Sequence, residues 1–169
     1  MNIYITGFYG AGKSTVGRHL AQSLGWEFVE VDAEIVREVR TPLSVFIKQE
    51  GMRAYKDKET DILHRLSEAK GAVIATNAGS LTTREAVARA RNSGKIVFIN
   101  TPFHQCHRRI DGDVARPFTY GKTKLELHEV FNNKFKVFSS TADFAVNGLY
   151  TPAQIAAEIK TWLKAMKLV

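Results

Sequence analysis

The 169-residue chain has one cysteine, Cys106. A lone thiol excludes a disulfide framework within the chain and any cysteine-cluster zinc site. There is no run of 18 apolar residues, so no transmembrane helix and no membrane association are expected. Internal repeats and low-complexity stretches are absent. The opening Met1-Asn2-Ile3-Tyr4-Ile5-Thr6 is too short, and too soon interrupted by glycine, to read as a secretion signal. With the free thiol, this sets the expectation of a cytoplasmic protein. The five histidines show no metal-ligand spacing backed by carboxylates. Hydrophobic residues make up 44% and charged residues 24%, which excludes disorder and collagen-like architecture. The length fits one domain, residues 1–169, able to bury a core without staples.

The formal charge of +7 favours anionic partners. Lysines and arginines are spread along the chain rather than gathered on one helix, so nucleic acid is not the expected partner. Short apolar runs alternate with helical patterns. Strands are expected at Ile3–Ile5, Phe28–Val31, Ala72–Ala75, Lys95–Ile99 and Phe144–Val146. Between them, Val16, Leu20 and Leu24 mark a helix stopped by Gly25. Thr41 reads as an N-cap with Pro42 at the first helical position, Gly51 as a helix end, and residues 52–70 as a continuing helix. Further helices are expected at Thr83–Ser93, from Pro102 to Arg109, along the stripe Leu127, Val130, Phe131, Phe135 and Phe138, and after Thr151-Pro152. Residues 111–123, with Gly112, Pro117 and Gly121, read as a mobile loop. Five strands separated by helices imply an α/β fold, a five-stranded parallel sheet with helices on both faces. Ligands in such sheets lie beyond the carboxyl ends of the strands, here residues 6–15, 30–34, 76–80 and 100–102.

One of those stretches carries a motif. Gly7-Phe8-Tyr9-Gly10-Ala11-Gly12-Lys13-Ser14 matches the phosphate-loop pattern Gly-x4-Gly-Lys-Ser/Thr. A chain of this composition would hold roughly 0.008 such matches by chance, and this one follows a strand and opens a helix as the mechanism requires. Backbone N–H groups in the loop and the positive end of the helix dipole favour a phosphate. Lys13 reaches the terminal phosphates and the Ser14 hydroxyl is the expected Mg²⁺ ligand. Phe8 and Tyr9 are bulky for this loop and suit either packing or an acceptor site. No Asn-Lys-x-Asp guanine motif and no late strand-ending acidic pair is present, and the chain is short for a motor module. Glu30 and Asp32 share one face of a strand end, where one could take an acceptor proton and the other hold the metal through water.

The run Gly10-Ala11-Gly12-Lys13-Ser14-Thr15-Val16-Gly17-Arg18, then Phe28-x-Glu30-x-Asp32, then Gly51-x-x-x-Tyr55-Lys56-x-x-Glu59 resembles shikimate kinase. Ala75-Thr76-Asn77-Ala78-Gly79, Arg116-Pro117 and the closing Thr151-Pro152 helix continue the resemblance through the chain. It implies a P-loop kinase architecture of the nucleoside-monophosphate-kinase type, with an acceptor-binding helical region at about residues 33–70 and a lid at about 111–123. It implies ATP and Mg²⁺ as cofactors, phosphorylation of the shikimate 3-hydroxyl, and a place in aromatic amino acid biosynthesis. By resemblance Gly10, Ala11, Gly12, Lys13, Ser14 and Thr15 hold the nucleotide, Arg109 and the loop before Pro152 flank the adenine, and Arg116 closes on the phosphates. Lys13, Asp32 and Arg116 are then the catalytic set. Asp32, Lys56, Asn77, Ala78, Gly79 and Lys134 face the acceptor.

The departures lie on the acceptor side. The family usually has an arginine where Lys56 stands, a second near Lys134, with Lys136 the neighbouring candidate, three glycines where Asn77-Ala78-Gly79 stands, and aspartate at Glu30. Lysine keeps the charge of arginine but loses its planar fork. Asn77 and Ala78 add side chains where backbone should approach a ligand. The expected function is therefore transfer of a phosphoryl group from ATP to a hydroxyl of a small, carboxylated acceptor, shikimate first, by a monomer. A related kinase for another polyol acid or a nucleoside, and a nucleotide-binding regulator with little transfer activity, are the alternatives.

Overall fold

The computed structural model describes residues 1–169. Five strands, β1 (Asn2–Thr6), β2 (Glu27–Glu30), β3 (Ala72–Ala75), β4 (Gly94–Asn100) and β5 (Phe144–Asn147), form one parallel sheet in the order β2-β3-β1-β4-β5. Seven helices connect and cover them: α1 (Lys13–Leu24), α2 (Val31–Val39), α3 (Leu43–Glu68), α4 (Arg84–Ser93), α5 (Phe103–Ile110), α6 (Lys124–Thr141) and α7 (Pro152–Ala165). No helix is long and apolar enough to cross a membrane.

The central strands are buried on both faces, and alternation splits their side chains between two cores. Ile3 and Ile5 of β1 and Val73 of β3 pack with Val16 and Leu20 of α1 and Ile155 and Ile159 of α7. Tyr4, Ile74 and Ile96 point the other way, toward Ile62 and Leu63 of α3 and Val87 of α4. A third cluster joins Phe8 of the phosphate loop to Phe98, Cys106, Leu127 and Phe138, under α5 and α6. Asn2, fully buried, ties the lower edge together. Its amide donates to the carbonyls of Leu66 (2.8 Å) and Ala69 (3.0 Å) and accepts from the Ala72 N–H (3.2 Å).

The helix and strand positions follow the sequence reading, with three corrections. Val31 is not the end of β2; it opens α2, and Asp32 therefore sits in a helical first turn rather than on a strand face. The extended Glu30 is the N-cap, the buried Val31 anchors the turn, and Asp32 and Glu34 complement the positive helix end. Thr41 does not cap α3: Pro42 takes the N-cap position, with an extended backbone, and the Thr41 hydroxyl turns back to the Val39 carbonyl. Pro102 likewise stands before α5 rather than inside it. Gly51 does break α3, with φ 86° and ψ 167° between two helical stretches. Residues 111–123 form a chain of hydrogen-bonded turns, and Phe118 from this segment packs against Tyr9 and Tyr55.

Candidate active site

A cavity of about 390 Å³ opens beyond the carboxyl ends of β1, β2 and β3. Tyr9 to Thr15, Glu30, Asp32, Thr76, Asn77, Arg109, Arg116, Gly148 and Tyr150 are in its wall. The sequence reading named the stretches around 6–15, 30–34 and 76–80. The 100–102 stretch does not reach this wall, because Thr101 is buried and its hydroxyl donates to the Ala11 carbonyl.

The phosphate loop is held from below. A Cβ on Gly10 would meet the Cys106 carbonyl oxygen and the Ile110 side chain at 2.8 Å each, and its φ of 76° suits glycine. Arg109 Nη1 donates to the Gly10 carbonyl at 2.8 Å, which places this guanidinium on the rim of the cavity. Lys13 folds back over the loop and donates to the carbonyls of Gly7 (3.0 Å) and Phe8 (2.9 Å). Desolvation of its ammonium is the main cause that lowers its pKa to about 8. Ser14 Oγ donates to Glu30 Oε1 at 2.6 Å, and Arg18 lies 3.6 Å from the same carboxylate. Glu30 is thus tied to the phosphate loop, while Asp32, two residues on, turns to Tyr55 and Asn77. Arg116 lines the cavity from the connecting segment while its Nε binds Asp113 at 2.8 Å.

The residues expected on the acceptor side come together around Asp32 and Gly79. Asp32 accepts from Tyr55 Oη at Oδ1 (2.9 Å) and from Asn77 Nδ2 at Oδ2 (3.0 Å). Burial raises its pKa above the ordinary carboxyl value, against the lowering effect of the Asn77 and Tyr55 hydrogen bonds. Asn77 Oδ1 in turn accepts from the Gly79 N–H at 3.0 Å. Lys56 donates to the Gly79 carbonyl (3.1 Å) and to Glu59 Oε1 (2.8 Å), and Lys134 donates to the Ala78 carbonyl (3.1 Å). A Cβ on Gly79 would lie 3.1 Å from Lys56 Nζ and 3.6 Å from Lys134 Nζ, so two ammonium groups converge on one short loop. Desolvation and the neighbouring Lys56 charge lower the Lys134 pKa. Ala78 contributes only that carbonyl; its side chain is fully buried beside Phe8 and Phe98.

The structure also separates the two aromatic residues of the phosphate loop. Phe8 is a core side chain, edge-on to Phe131 at 5.1 Å. Tyr9 faces the cavity and stacks on Phe118, with centroids 6.0 Å apart and planes 16° from parallel. Tyr55, Glu59 and Ser80 carried no role in the sequence reading. Tyr55 and Glu59 stand four residues apart on α3, a spacing that puts both on one helix face, and that was the available signal.

A phosphate loop, an acidic residue across the cavity and a pair of cations beyond it describe a phosphoryl donor site joined to a site for an anionic acceptor. Comparison with known proteins decides the family. The family model for shikimate kinase matches residues 9–164.

The chain belongs to the shikimate kinase family. A shikimate kinase from Persephonella marina is 32% identical over 159 residues, 94% of this chain and 96% of that protein. Among solved structures, a shikimate kinase from Acinetobacter baumannii in complex with shikimate superposes with a TM-score of 0.93 at 29% identity, covering 99% of this chain and 95% of that one. The Aquifex aeolicus shikimate kinase gives a TM-score of 0.88 at 31% identity, with 99% of each chain covered. As a shikimate kinase family member the chain is an ATP-using phosphotransferase with a hydroxyl acceptor. The same architecture extends to a gluconokinase from Sinorhizobium meliloti, with a TM-score of 0.65 at 20% identity, a likeness of fold alone.

Proposed function

We propose that this chain transfers the γ-phosphoryl group of ATP to a hydroxyl of shikimate, in one domain spanning residues 1–169, with residues 33–70 shaping the acceptor side and 111–123 acting as lid. The observation that carries the acceptor assignment is the convergence of Lys56 and Lys134 on the loop that also presents Asn77 to Asp32. That arrangement offers two cations to a carboxylate and one carboxylate to a hydroxyl, which is the chemistry of a polyol acid. The complex of the Acinetobacter relative with shikimate supports the same reading.

The residues then divide the work. The Gly10–Thr15 backbone cradles the terminal phosphates, and Lys13 leaves the Gly7 and Phe8 carbonyls to neutralise them. Arg109 and the Gly148–Pro152 loop flank the nucleotide base. Asp32 orients the acceptor hydroxyl and accepts its proton. Arg116 swings from Asp113 toward the charge that spreads over the phosphoryl oxygens. Ser14 and Glu30 are hard oxygen donors side by side, a set that suits Mg²⁺ held by one or two protein oxygens together with phosphate and water. When bound, the ion would draw charge from the phosphates; no group of three metal-binding side chains competes for it. Lysine in place of the usual arginines makes the acceptor grip a pair of point charges rather than planar forks, so discrimination among carboxylated polyols should be looser.

The test is ADP release, coupled to a readout, over a panel of shikimate, gluconate and nucleosides. Turnover with shikimate that disappears in Lys13→Ala is the expected result. A signal with gluconate or a nucleoside and none with millimolar shikimate would replace the acceptor. ATP hydrolysis indifferent to every acceptor would replace the kinase reading with that of a nucleotide-binding regulator.

A further inference from the structure

The turn that follows β3 starts at Asn77 and sets the orientation of its side chain. The Ser80 N–H donates to the Asn77 carbonyl at 3.1 Å, and the Gly79 N–H donates to Asn77 Oδ1 at 3.0 Å. A backbone N–H can only donate, so the second bond settles which end of the carboxamide is oxygen. The nitrogen is left beside Asp32, and Nδ2 donates to Asp32 Oδ2 at 3.0 Å. An amide nitrogen carries two hydrogens. Asp32 takes one, and the other has no partner within the chain. Asn77 is half-buried, and it stands with Asp32 in the wall of the cavity of about 390 Å³.

We propose that Asp32 and Asn77 together read two neighbouring hydroxyls of the acceptor, Asp32 accepting from the one that receives the phosphoryl group and Asn77 donating to the other. The proposal rests on the reading of Asp32 as the group facing the acceptor. A carboxylate oxygen has two lone pairs, so Oδ2 can hold Asn77 and a hydroxyl at once. The 3.0 Å between Oδ2 and Nδ2 is close to the separation of the two oxygens in a gauche vicinal diol. One group takes a hydrogen and the other gives one, which matches a diol whose first hydroxyl donates and whose second accepts. An acceptor with a lone hydroxyl leaves the Asn77 hydrogen unpaired, and a polar site built around such a bond rejects the analogue that lacks it. Glycine, usual in the family at this position, has no side-chain hydrogen to give. In this chain the Gly79 N–H is engaged by Asn77 itself, so the carboxamide replaces the backbone as donor.

The surroundings hold the pair in place. Tyr55 Oη donates to Asp32 Oδ1 (2.9 Å) and lies 3.1 Å from Glu59 Oε2, which also accepts from Ser80 Oγ (2.6 Å). Asp32 is thus fixed through one oxygen from α3 and through the other from the turn. Lys56 and Lys134 donate to the Gly79 and Ala78 carbonyls, so the two cations sit on the same short loop as the carboxamide. That suits an acceptor with a carboxylate and a vicinal diol on one small ring. Thr76, the next hydroxyl in the wall, donates to the Ile5 carbonyl at 2.9 Å and has no hydrogen to offer. Tyr9 is the other wall residue whose hydroxyl has no partner within the chain, and the test separates it from Asn77.

The measurement is kcat/KM with ATP for shikimate, 4-deoxyshikimate and 5-deoxyshikimate, in the native chain, Asn77→Ala and Tyr9→Phe. The 4-deoxy acid lacks the hydroxyl next to the one phosphorylated; the 5-deoxy acid keeps it. The native chain should prefer shikimate to the 4-deoxy acid by at least about tenfold. Asn77→Ala should bring that preference within about threefold, by losing activity on shikimate, while its preference for shikimate over the 5-deoxy acid stays at the native value. Tyr9→Phe should keep both preferences. Equal losses on shikimate and the 4-deoxy acid in Asn77→Ala mean that the side chain only braces Asp32 and the turn, and they overturn the proposal. So does a native chain that treats the two acids alike, or a preference that collapses in Tyr9→Phe instead. A second readout needs no turnover: in the ¹⁵N-labelled native chain the Asn77 side-chain amide, assigned by its loss in Asn77→Ala, should shift with cis-1,2-cyclohexanediol and not with cyclohexanol. If shikimate is not phosphorylated while the diol alone moves the amide, the acceptor assignment fails and the diol reading is upheld. An amide that responds to both alcohols, or to neither, overturns the diol reading.

Discussion

At the scale of single residues, two ionisable groups carry opposite costs. Burial pushes the Asp32 carboxyl above its ordinary pKa, against the hydrogen bonds from Asn77 and Tyr55, so the folded chain holds this proton more tightly than the unfolded chain does. Its contribution to stability is therefore fullest below the ordinary carboxyl value and is lost as pH rises through the folded one. Asp32→Asn should lower turnover by roughly two to four orders of magnitude yet raise the melting temperature at pH 7. That gain should shrink as the pH falls toward 4, which melting curves at the two pH values will show. The acid limb of the pH–rate profile should lie above the range of an exposed aspartate, since the base must be ionised to act. Lys13 is the mirror case. Its folded pKa of about 8 lies below the ordinary lysine value, so stability rises with pH between about 8 and 10.5. Phosphates entering the loop restore the charge. ATP binding at pH 8 should thus take up about half a proton, measurable by calorimetry in two buffers of different ionisation enthalpy and absent in Lys13→Met.

At the scale of elements, the kink in α3 decides where the acceptor side faces. Gly51 combines φ 86° with ψ 167°, a region that side-chain-bearing residues avoid, and a Cβ there would touch nothing within 4 Å. Gly51→Ala should therefore cost about 1–3 kcal/mol through backbone strain alone, read from denaturant midpoints, with the KM for the acceptor rising more than that for ATP because Tyr55, Lys56 and Glu59 all lie beyond the kink. Much of this organisation was legible in advance. The phosphate loop is contiguous, so eight residues in a row disclose it, and the strands are short apolar runs fenced by glycine and helix signals. The order β2-β3-β1-β4-β5 was not read; nor was the helical start at Val31, where a β-branched residue suits strand and buried helix turn alike. Lys56, Asn77, Gly79 and Lys134 were named through the family resemblance, and the geometry brings them to one loop. The Asp32–Tyr55–Glu59–Ser80 chain was hidden because it joins α2, α3 and the loop after β3, and no local spacing reports how helices dock. Asn2 escaped for the same reason, its partners lying 64 to 70 residues away.

At the scale of the whole molecule, the proposed catalytic groups gather beyond the carboxyl edge of one sheet, around one cavity. A ligand that binds only the folded chain stabilises it by mass action. ATP with Mg²⁺ at one hundred times its Kd should raise the melting temperature by roughly 5–10 °C, a shift that Lys13→Ala abolishes in differential scanning fluorimetry. Beneath the phosphate loop sits Cys106, fully buried, its thiol pointing at the Thr101 carbonyl at 3.5 Å and its pKa pushed by burial up to about 11. Because it is the sole sulfhydryl in the chain, a colourimetric disulfide reagent can modify the protein at one place only, and only when the layer between α5 and the glycine turn comes apart. The colour would then clock how often the nucleotide cradle breathes, and saturating ATP should slow that clock without any engineered label.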